Sequence, residues 1–173
     1  MGYALFAQRK LVLDGQLNNA QLQQTQRSNE QYAIATQTLS LQQQLTSMNA
    51  AQSQQLSELY SLLSSASETG IDTSKMDKDD LDKLSPDAKD LVNNNANRDQ
   101  INDAIKAKEL EFEKEINNIN NQIYQVSVKE NAIEMEVKRL DTQVTALQKQ
   151  MEATEQAEGG AIGRATPKFG GVG

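Results

Sequence analysis

The stretch Ile105–Met151, IKAKELEFEKEINNINNQIYQVSVKENAIEMEVKRLDTQVTALQKQM, decides the fold of this chain. Along it, one set of positions recurs at alternating spacings of four and three residues, and from Phe112 onward every member is apolar except Glu130. A seven-residue repeat of this kind keeps one stripe of a helix facing a partner helix. The pattern therefore predicts a long coiled-coil helix that requires a second helix. The set is Ile105, Glu109, Phe112, Ile116, Ile119, Ile123, Val126, Glu130, Ile133, Val137, Leu140, Val144, Leu147 and Met151.

The partner is predicted in residues 1–66, which contain no proline and only Gly15 as an interior glycine. A glycine costs about 1 kcal/mol relative to alanine in a helix interior, so a kink or break at Gly15 is an open alternative. The predicted contact stripe is apolar at both ends and polar in the middle. Its members are Leu17, Ala20, Gln24, Arg27, Gln31, Ile34, Leu41, Leu45, Met48, Leu56, Leu59, Leu62 and Leu63.

The segment between the two helices, 67–98, reads as a charged connector with one or two short helices. Gly70 ends the first long helix, Ser85-Pro86-Asp87 has the residues of a helix start, and three asparagines at 93–95 end that short helix. The second long helix is predicted over 99–158, and six glycines and a proline predict a flexible tail over 159–173. Two long helices of similar length predict an all-α antiparallel coiled-coil hairpin with a small helical cap.

Composition excludes several classes of function. The 173 residues contain no Cys, no His and no Trp, and aromatic residues are 4% of the chain. Neither a disulfide nor a thiolate metal site is possible, and the usual general base and zinc ligand are missing. A net charge of −7 argues against binding nucleic acid or an anionic membrane by charge. We therefore expect no catalytic, cofactor or metal site and a protein that is not an enzyme.

Two acidic groups have some of the residues of a functional site but lack the rest of its pattern. In the connector, the aspartates do not match a calcium-binding loop, because Leu81 stands where the fifth position needs an oxygen ligand. On the second helix, the paired carboxylates of 109–115 would need a pocket that excludes water, which a two-helix rod does not provide. Both groups are interpreted as solvated surface.

The N-terminus does not resemble a signal peptide, because Arg9 and Lys10 follow the short apolar stretch instead of preceding it. Gly2 does not indicate myristoylation, because Phe6 stands where the motif needs Ser or Thr. No apolar run approaches the roughly 20 residues of a membrane span. The chain is expected either in the cytoplasm or exported without a cleaved signal.

From Phe112 onward, Glu130 is the one charge in the apolar stripe of the second helix, and Arg27 is the one charge in the stripe of the first. A polar residue at a single core position often sets helix register. In a hairpin, Arg27 should lie opposite residues 130–136, so an Arg27–Glu130 register pair is predicted. The alternative is that both side chains reach out to solvent.

Two features point to a second contact surface. Between Gly15 and Ser57 the only charged residues are Arg27 and Glu30, which is unusual for a helix face exposed to water. Outside the stripe of the second helix lies an apolar set at heptad positions b and f, interpreted as an assembly interface. The alternatives are a bias towards Gln and Asn and ordinary scattered apolar exposure. The set is Leu110, Tyr124, Val128 and Met135.

The segment order, with LSPDAKDLVN at Leu84–Asn93 followed by a long helix from Asp99, resembles the extracellular filament subunits of type III secretion systems. These proteins are mainly an antiparallel coiled-coil hairpin with a variable region between the helices. The resemblance implies export, residence outside the cell or on its surface, and a homopolymer that meets a secretion apparatus or a chaperone. The glycine-rich tail departs from that family.

The sequence is therefore compatible with three functions. The first is a self-assembling structural subunit of a helical filament. The second is a cytosolic coiled-coil adaptor or chaperone, which should be a small oligomer with a charged exterior. The third is a phage structural or scaffolding protein, which should assemble only around a coat partner.

Overall fold

The computed structural model describes residues 2–76 and 78–165, with side chains placed for 4–74, 76 and 78–161. It is 91% helical, which confirms the all-α class. The elements in chain order are α1 Gly2–Ser65, β1 Ala66–Ser67, β2 Gly70–Ile71, a 3-10 turn Thr73–Lys75, α2 Lys78–Lys83, α3 Pro86–Asn93 and α4 Arg98–Ala165.

The two long helices, α1 and α4, pack against each other as a helical hairpin. The chain divides into two compact units, which we call the terminal unit (the described parts of Met1–Thr36 and Val128–Gly173) and the tip unit (Gln37–Ser127). In the terminal unit, Lys10 contacts Glu155 and Gln24 contacts Asp141, so the helices run antiparallel.

Burial along α1 follows the heptad repeat without a break. Half-buried or buried side chains recur at alternating spacings of four and three from Phe6 to Leu62. On both long helices the d positions are more buried than the a positions: on α4, Phe112, Ile119 and Val126 are buried, whereas Ile116 and Ile123 are only half-buried. Gly15 does not break α1, because the helix continues through it.

The apolar core of the tip unit is built from the end of α1, the connector and the start of α4. Burying these side chains contributes roughly 25 cal/mol per Å² of apolar surface, and it holds the short elements against the long ones. The buried members are Leu59, Leu62, Ile71, Leu84, Ala88, Ala96, Ile101 and Ile105. The terminal unit has its own smaller core of Leu13, Ala20, Val144 and Leu147.

The asparagines end α3 as predicted, and the structure shows how. Asn95 has a left-handed φ of 50°, the Asn95 N–H donates to the Val92 carbonyl, and the Ala96 N–H donates to the Leu91 carbonyl. These two bonds form a Schellman motif. Asn97 then starts α4 with reciprocal side-chain bonds to Gln100, each 2.9 Å long, in the manner of a capping box.

The connector also contains a short β-hairpin that the sequence did not predict. β1 and β2 pair antiparallel, with Ser67 opposite Gly70. The Asn95 side chain fastens this hairpin: its Oδ1 accepts from the Ile71 N–H at 3.1 Å, and its Nδ2 donates to the Thr69 carbonyl. Gly70, at φ 137°, is required here because a Cβ would collide with Asn95.

Two predicted details differ in the structure. α3 begins at Pro86, but the Ser85 side chain makes no capping hydrogen bond; instead the Ser85 N–H donates to Glu58 Oε2 of α1 at 2.9 Å. The second long helix does not end at Glu158 but continues to Ala165, through Gly159 and Gly160. Extending an existing helix adds one hydrogen bond per residue without a new nucleation cost, which offsets the glycine penalty. Residues 166–173 of the predicted tail lie outside the described residues.

Candidate assembly surface

Contacts between α1 and α4 divide the side chains beside their interface into two flanks. On one flank, Gln24 at an a position of α1 contacts Asp141 at an e position of α4 in the terminal unit. In the tip unit, Tyr60 at a b position of α1 contacts Glu109 at an a position of α4. On the other flank, Arg27 at a d position meets Glu136 at a g position. This is the arrangement of an antiparallel helix pair. We call the first the a/b flank.

The a/b flank is the more open one, because it carries the half-buried a positions. It also carries an exposed apolar row at b positions of α1, formed by Leu11 and Tyr32 in the terminal unit and by Leu39 and Tyr60 in the tip unit, with polar residues at the intervening b positions 18, 25, 46 and 53. The sequence prediction missed this row, although a seven-residue count from the α1 contact stripe would have found it. Large apolar side chains arranged in register are more informative than singly scattered ones.

The structure places the four predicted interface residues of α4 in two rows. Leu110 and Tyr124 lie at b positions in the tip unit, and Val128 and Met135 lie at f positions in the terminal unit. All four are exposed, from 50% for Leu110 to 71% for Tyr124. The b row belongs to the a/b flank, whereas the f row faces away from α1. The four residues therefore form two candidate surfaces instead of one.

The predicted register pair is wrong in its partner. The Arg27 guanidinium binds Glu136 at 2.7 Å and Glu30 on its own helix. Glu130 is half-buried and forms no ion pair among the described residues. The reason is register: Gln24 lies level with Asp141, so Arg27, three residues later, lies level with residues near 138. Hydrogen bonding to Glu30 and the nearby charge of Glu136 raise the pKa of Arg27.

Because Arg27 and Glu30 pair, the long stretch of α1 from Gly15 to Ser57 presents no unpaired charge. Its polar groups are amides and hydroxyls, and several hydroxyls donate back to the helix: Thr25 to the Gln21 carbonyl and Thr36 to the Tyr32 carbonyl. A neutral face of this kind can be desolvated by a neighbouring protein without burying a charge.

In the tip unit, both helices share a charge-free belt. Residues 37–56 of α1 and 116–127 of α4 contain no Asp, Glu, Lys or Arg. The cap of the same unit is by contrast rich in charge, with Lys108 held between Asp87 and Glu111 at 2.8 Å each. Those two hydrogen bonds raise the pKa of Lys108. The neutral belt thus lies in a unit whose remaining surface is charged.

The described residues offer little other chemistry. No group of three or more acidic side chains in 2–76 and 78–165 is arranged to hold a metal ion. None of the helices described here combines the length and apolar character needed to cross a membrane. The depressions on the described surface are open to solvent, including one beside Glu58 and Lys83 in the cap. The exposed apolar rows and the charge-free belt are therefore the candidate surfaces for binding another protein.

Comparison of the chain with protein-family models, with curated proteins and with solved structures found no match in any of the three.

Proposed function

We propose that this protein is a non-enzymatic structural subunit whose hairpins assemble side by side into a helical filament. The observation that carries the proposal is the presence of exposed apolar rows beside a long stretch of the first helix, Gly15 to Ser57, that lacks unpaired charge. A neighbouring hairpin that covers these faces buries apolar area and gives the amides hydrogen-bond partners.

Within the subunit, we propose coiled-coil packing between α1 and α4. Heptad burial that is unbroken along α1 from Phe6 to Leu62, and along α4 from Phe112 to Met151, supports it. Following the resemblance to type III secretion filaments, we propose that the polymer lies outside the cell or on its surface and that the chain is exported without a cleaved signal.

The test is assembly of the purified protein, followed by negative-stain microscopy and by sedimentation across concentration. We expect filaments above a threshold concentration. A fixed small oligomer would instead favour the cytosolic adaptor or chaperone. A monomer that polymerises only with a coat partner would favour the phage scaffold.

The f row of α4 supplies the matched variants. Val128→Lys and Met135→Glu place a charge at exposed positions outside the contact between α1 and α4. Each is expected to abolish polymers and to leave the helical circular dichroism unchanged. The control is Gln156→Lys, which adds the same charge as Val128→Lys at another exposed f position of α4. If all variants polymerise like the parent protein, the f row is not an assembly contact.

A further inference from the structure

The charge-free belt contains a shallow depression on the outer surface of α1. It is lined by Leu39, Gln42, Gln43, Thr46, Ser47 and Ala50. Two of its hydroxyls are already engaged within the helix, because Thr46 donates to the Gln42 carbonyl and Ser47 to the Gln44 carbonyl, each at 2.9 Å. What the depression presents to solvent is therefore mostly carbon, edged by two glutamine amides.

The same belt carries a protruding aromatic side chain on the other helix. Tyr124 of α4 is 71% exposed and lies in the charge-free part of that helix. The hydrogen bond between Tyr60 and Glu109 sets the level of the two helices in the tip unit. Fifteen residues along α4 from Glu109 lead to Tyr124, and fifteen residues back along α1 from Tyr60 lead to Leu45. Leu45 lies between Gln43 and Thr46, so Tyr124 is level with the middle of the depression.

We propose that the Tyr124 ring of one copy sits in the Leu39–Ala50 depression of a second copy. This inference rests on the proposed self-assembly and names the contact that drives it. An aromatic ring on apolar carbon, with its hydroxyl at a glutamine amide, satisfies both parts of the tyrosine side chain. The tip of the ring reaches Gln42 or Gln43, each of which has a donor and an acceptor.

Charge identifies a second copy as the occupant. Each chain carries a net charge of −7, so two copies repel one another except where neither presents charge. The belt meets that condition on both helices. Amide groups are self-complementary because each one both donates and accepts, so one belt can pair with an identical belt. Two copies can make this contact without shifting along the helix axis relative to one another, because Tyr124 and the depression lie at the same level of the hairpin.

The contact as proposed is heterologous, and it is not the reciprocal exchange about a two-fold axis in which two copies would swap rings and close as a dimer. Each copy gives its ring to one neighbour and receives a ring from another. Such head-to-tail contacts produce a ring of subunits or an open helical polymer instead of a closed dimer. The arrangement thus explains how one pair of surfaces supports continued growth.

The experiment uses two full-length variants, Tyr124→Lys, which removes the ring, and Ala50→Lys, which blocks the depression. Both sites are exposed, so circular dichroism should remain that of the parent protein. Neither variant alone should polymerise. Mixed in equal amounts on a Val128→Lys background, which removes the f row contact, they retain one intact ring and one intact depression between them, and should form a heterodimer of one copy each that grows no further. Tyr124→Phe, which keeps the ring, and Gln156→Lys, which adds charge elsewhere, should polymerise.

The outcomes separate this contact from the proposed function. If the parent protein polymerises and either lysine variant polymerises equally well, the contact is overturned and the structural function stands. If the mixture forms no heterodimer, or regains full polymers, the one-sided contact is likewise overturned. If the parent protein never polymerises, the function itself fails and this contact fails with it.

Discussion

Gln55 lies at a heptad d position of α1, and its side-chain Oε1 is enclosed with no hydrogen-bond partner. Leaving a buried acceptor unpaired costs about 1–3 kcal/mol. Gln55→Leu removes that acceptor and adds apolar contact in the interface, so we expect a gain in stability of about 1 kcal/mol, visible as a higher Tm. Gln37→Leu, at an exposed position of the same helix, should leave the Tm unchanged. A lower Tm for Gln55→Leu would mean that the amide makes a bond essential to the fold.

Arg27 forms an ion pair with Glu136 across the polar part of the interface between α1 and α4. A double-mutant cycle with Arg27→Met and Glu136→Gln should show favourable coupling in the free energy of unfolding, and the coupling should weaken with salt because both side chains are exposed. The matched cycle of Arg27→Met with Glu130→Gln should show none, since Glu130 does not contact Arg27. Coupling to Glu130 and not to Glu136 would mean that the register between α1 and α4 in the terminal unit differs from the one described above.

At the scale of the elements, the carboxylate of Glu58 links α1 to the start of α3 by accepting from the Ser85 N–H. Burial of Glu58 would raise its pKa, but hydrogen bonds from Ser85 and Gln54 and the charge of Lys89 outweigh burial, so its pKa lies below the ordinary value of 4.5. The ionised carboxylate therefore stabilises the folded tip unit fully above about pH 4.5, and this contribution disappears as the pH falls through the lower folded pKa.

Glu58→Gln should remove this pH dependence. Hydrogen exchange of the α3 amides, measured from about pH 6 down to about pH 3, should show the parent losing protection relative to the variant. Glu113→Gln, at an exposed position of α4 in the same unit, should behave like the parent. An identical pH profile for Glu58→Gln and the parent would show that the Glu58–Ser85 bond contributes nothing to α3.

At the scale of the whole molecule, the net charge of −7 opposes assembly of like subunits. Salt shortens the range of this repulsion from about 30 Å at 0.01 M to about 8 Å at 0.15 M. The threshold concentration for polymers should therefore fall as salt is added over that range, as measured by pelleting. Polymers that dissolve as salt rises would mean that ion pairs, and not the neutral faces, hold the subunits together.

The hairpin was predictable because a strict heptad repeat requires a partner helix and the chain contains two long helices of similar length, and the end of α3 was predictable because asparagine tolerates the left-handed backbone. The β-hairpin was not, since two residues per strand carry no alternation to read, and its support comes from Asn95, which is distant in sequence. The partner of Arg27 was missed because a core position was favoured over the flanking Glu136. The depression at Leu39–Ala50 depends on which groups lie beside one another on a helix surface, and composition does not reveal that.

The fastening of the tip by Asn95 has a consequence for the order of folding. Its bond to Ile71 joins residues 24 apart, and the Glu58–Ser85 bond joins residues 27 apart, whereas Gln24 and Asp141 are 117 apart. Closing a loop costs entropy that grows with its length, so the tip contacts are the cheapest to form. We expect the tip unit to form first, and pulsed hydrogen exchange during refolding should show its amides protected before those of residues 2–36. Once the tip unit has formed, each further pair of facing residues on α1 and α4 lies next to a pair that is already in contact. Each new contact therefore closes only a short loop, and pairing of the two helices proceeds from the tip unit towards the termini.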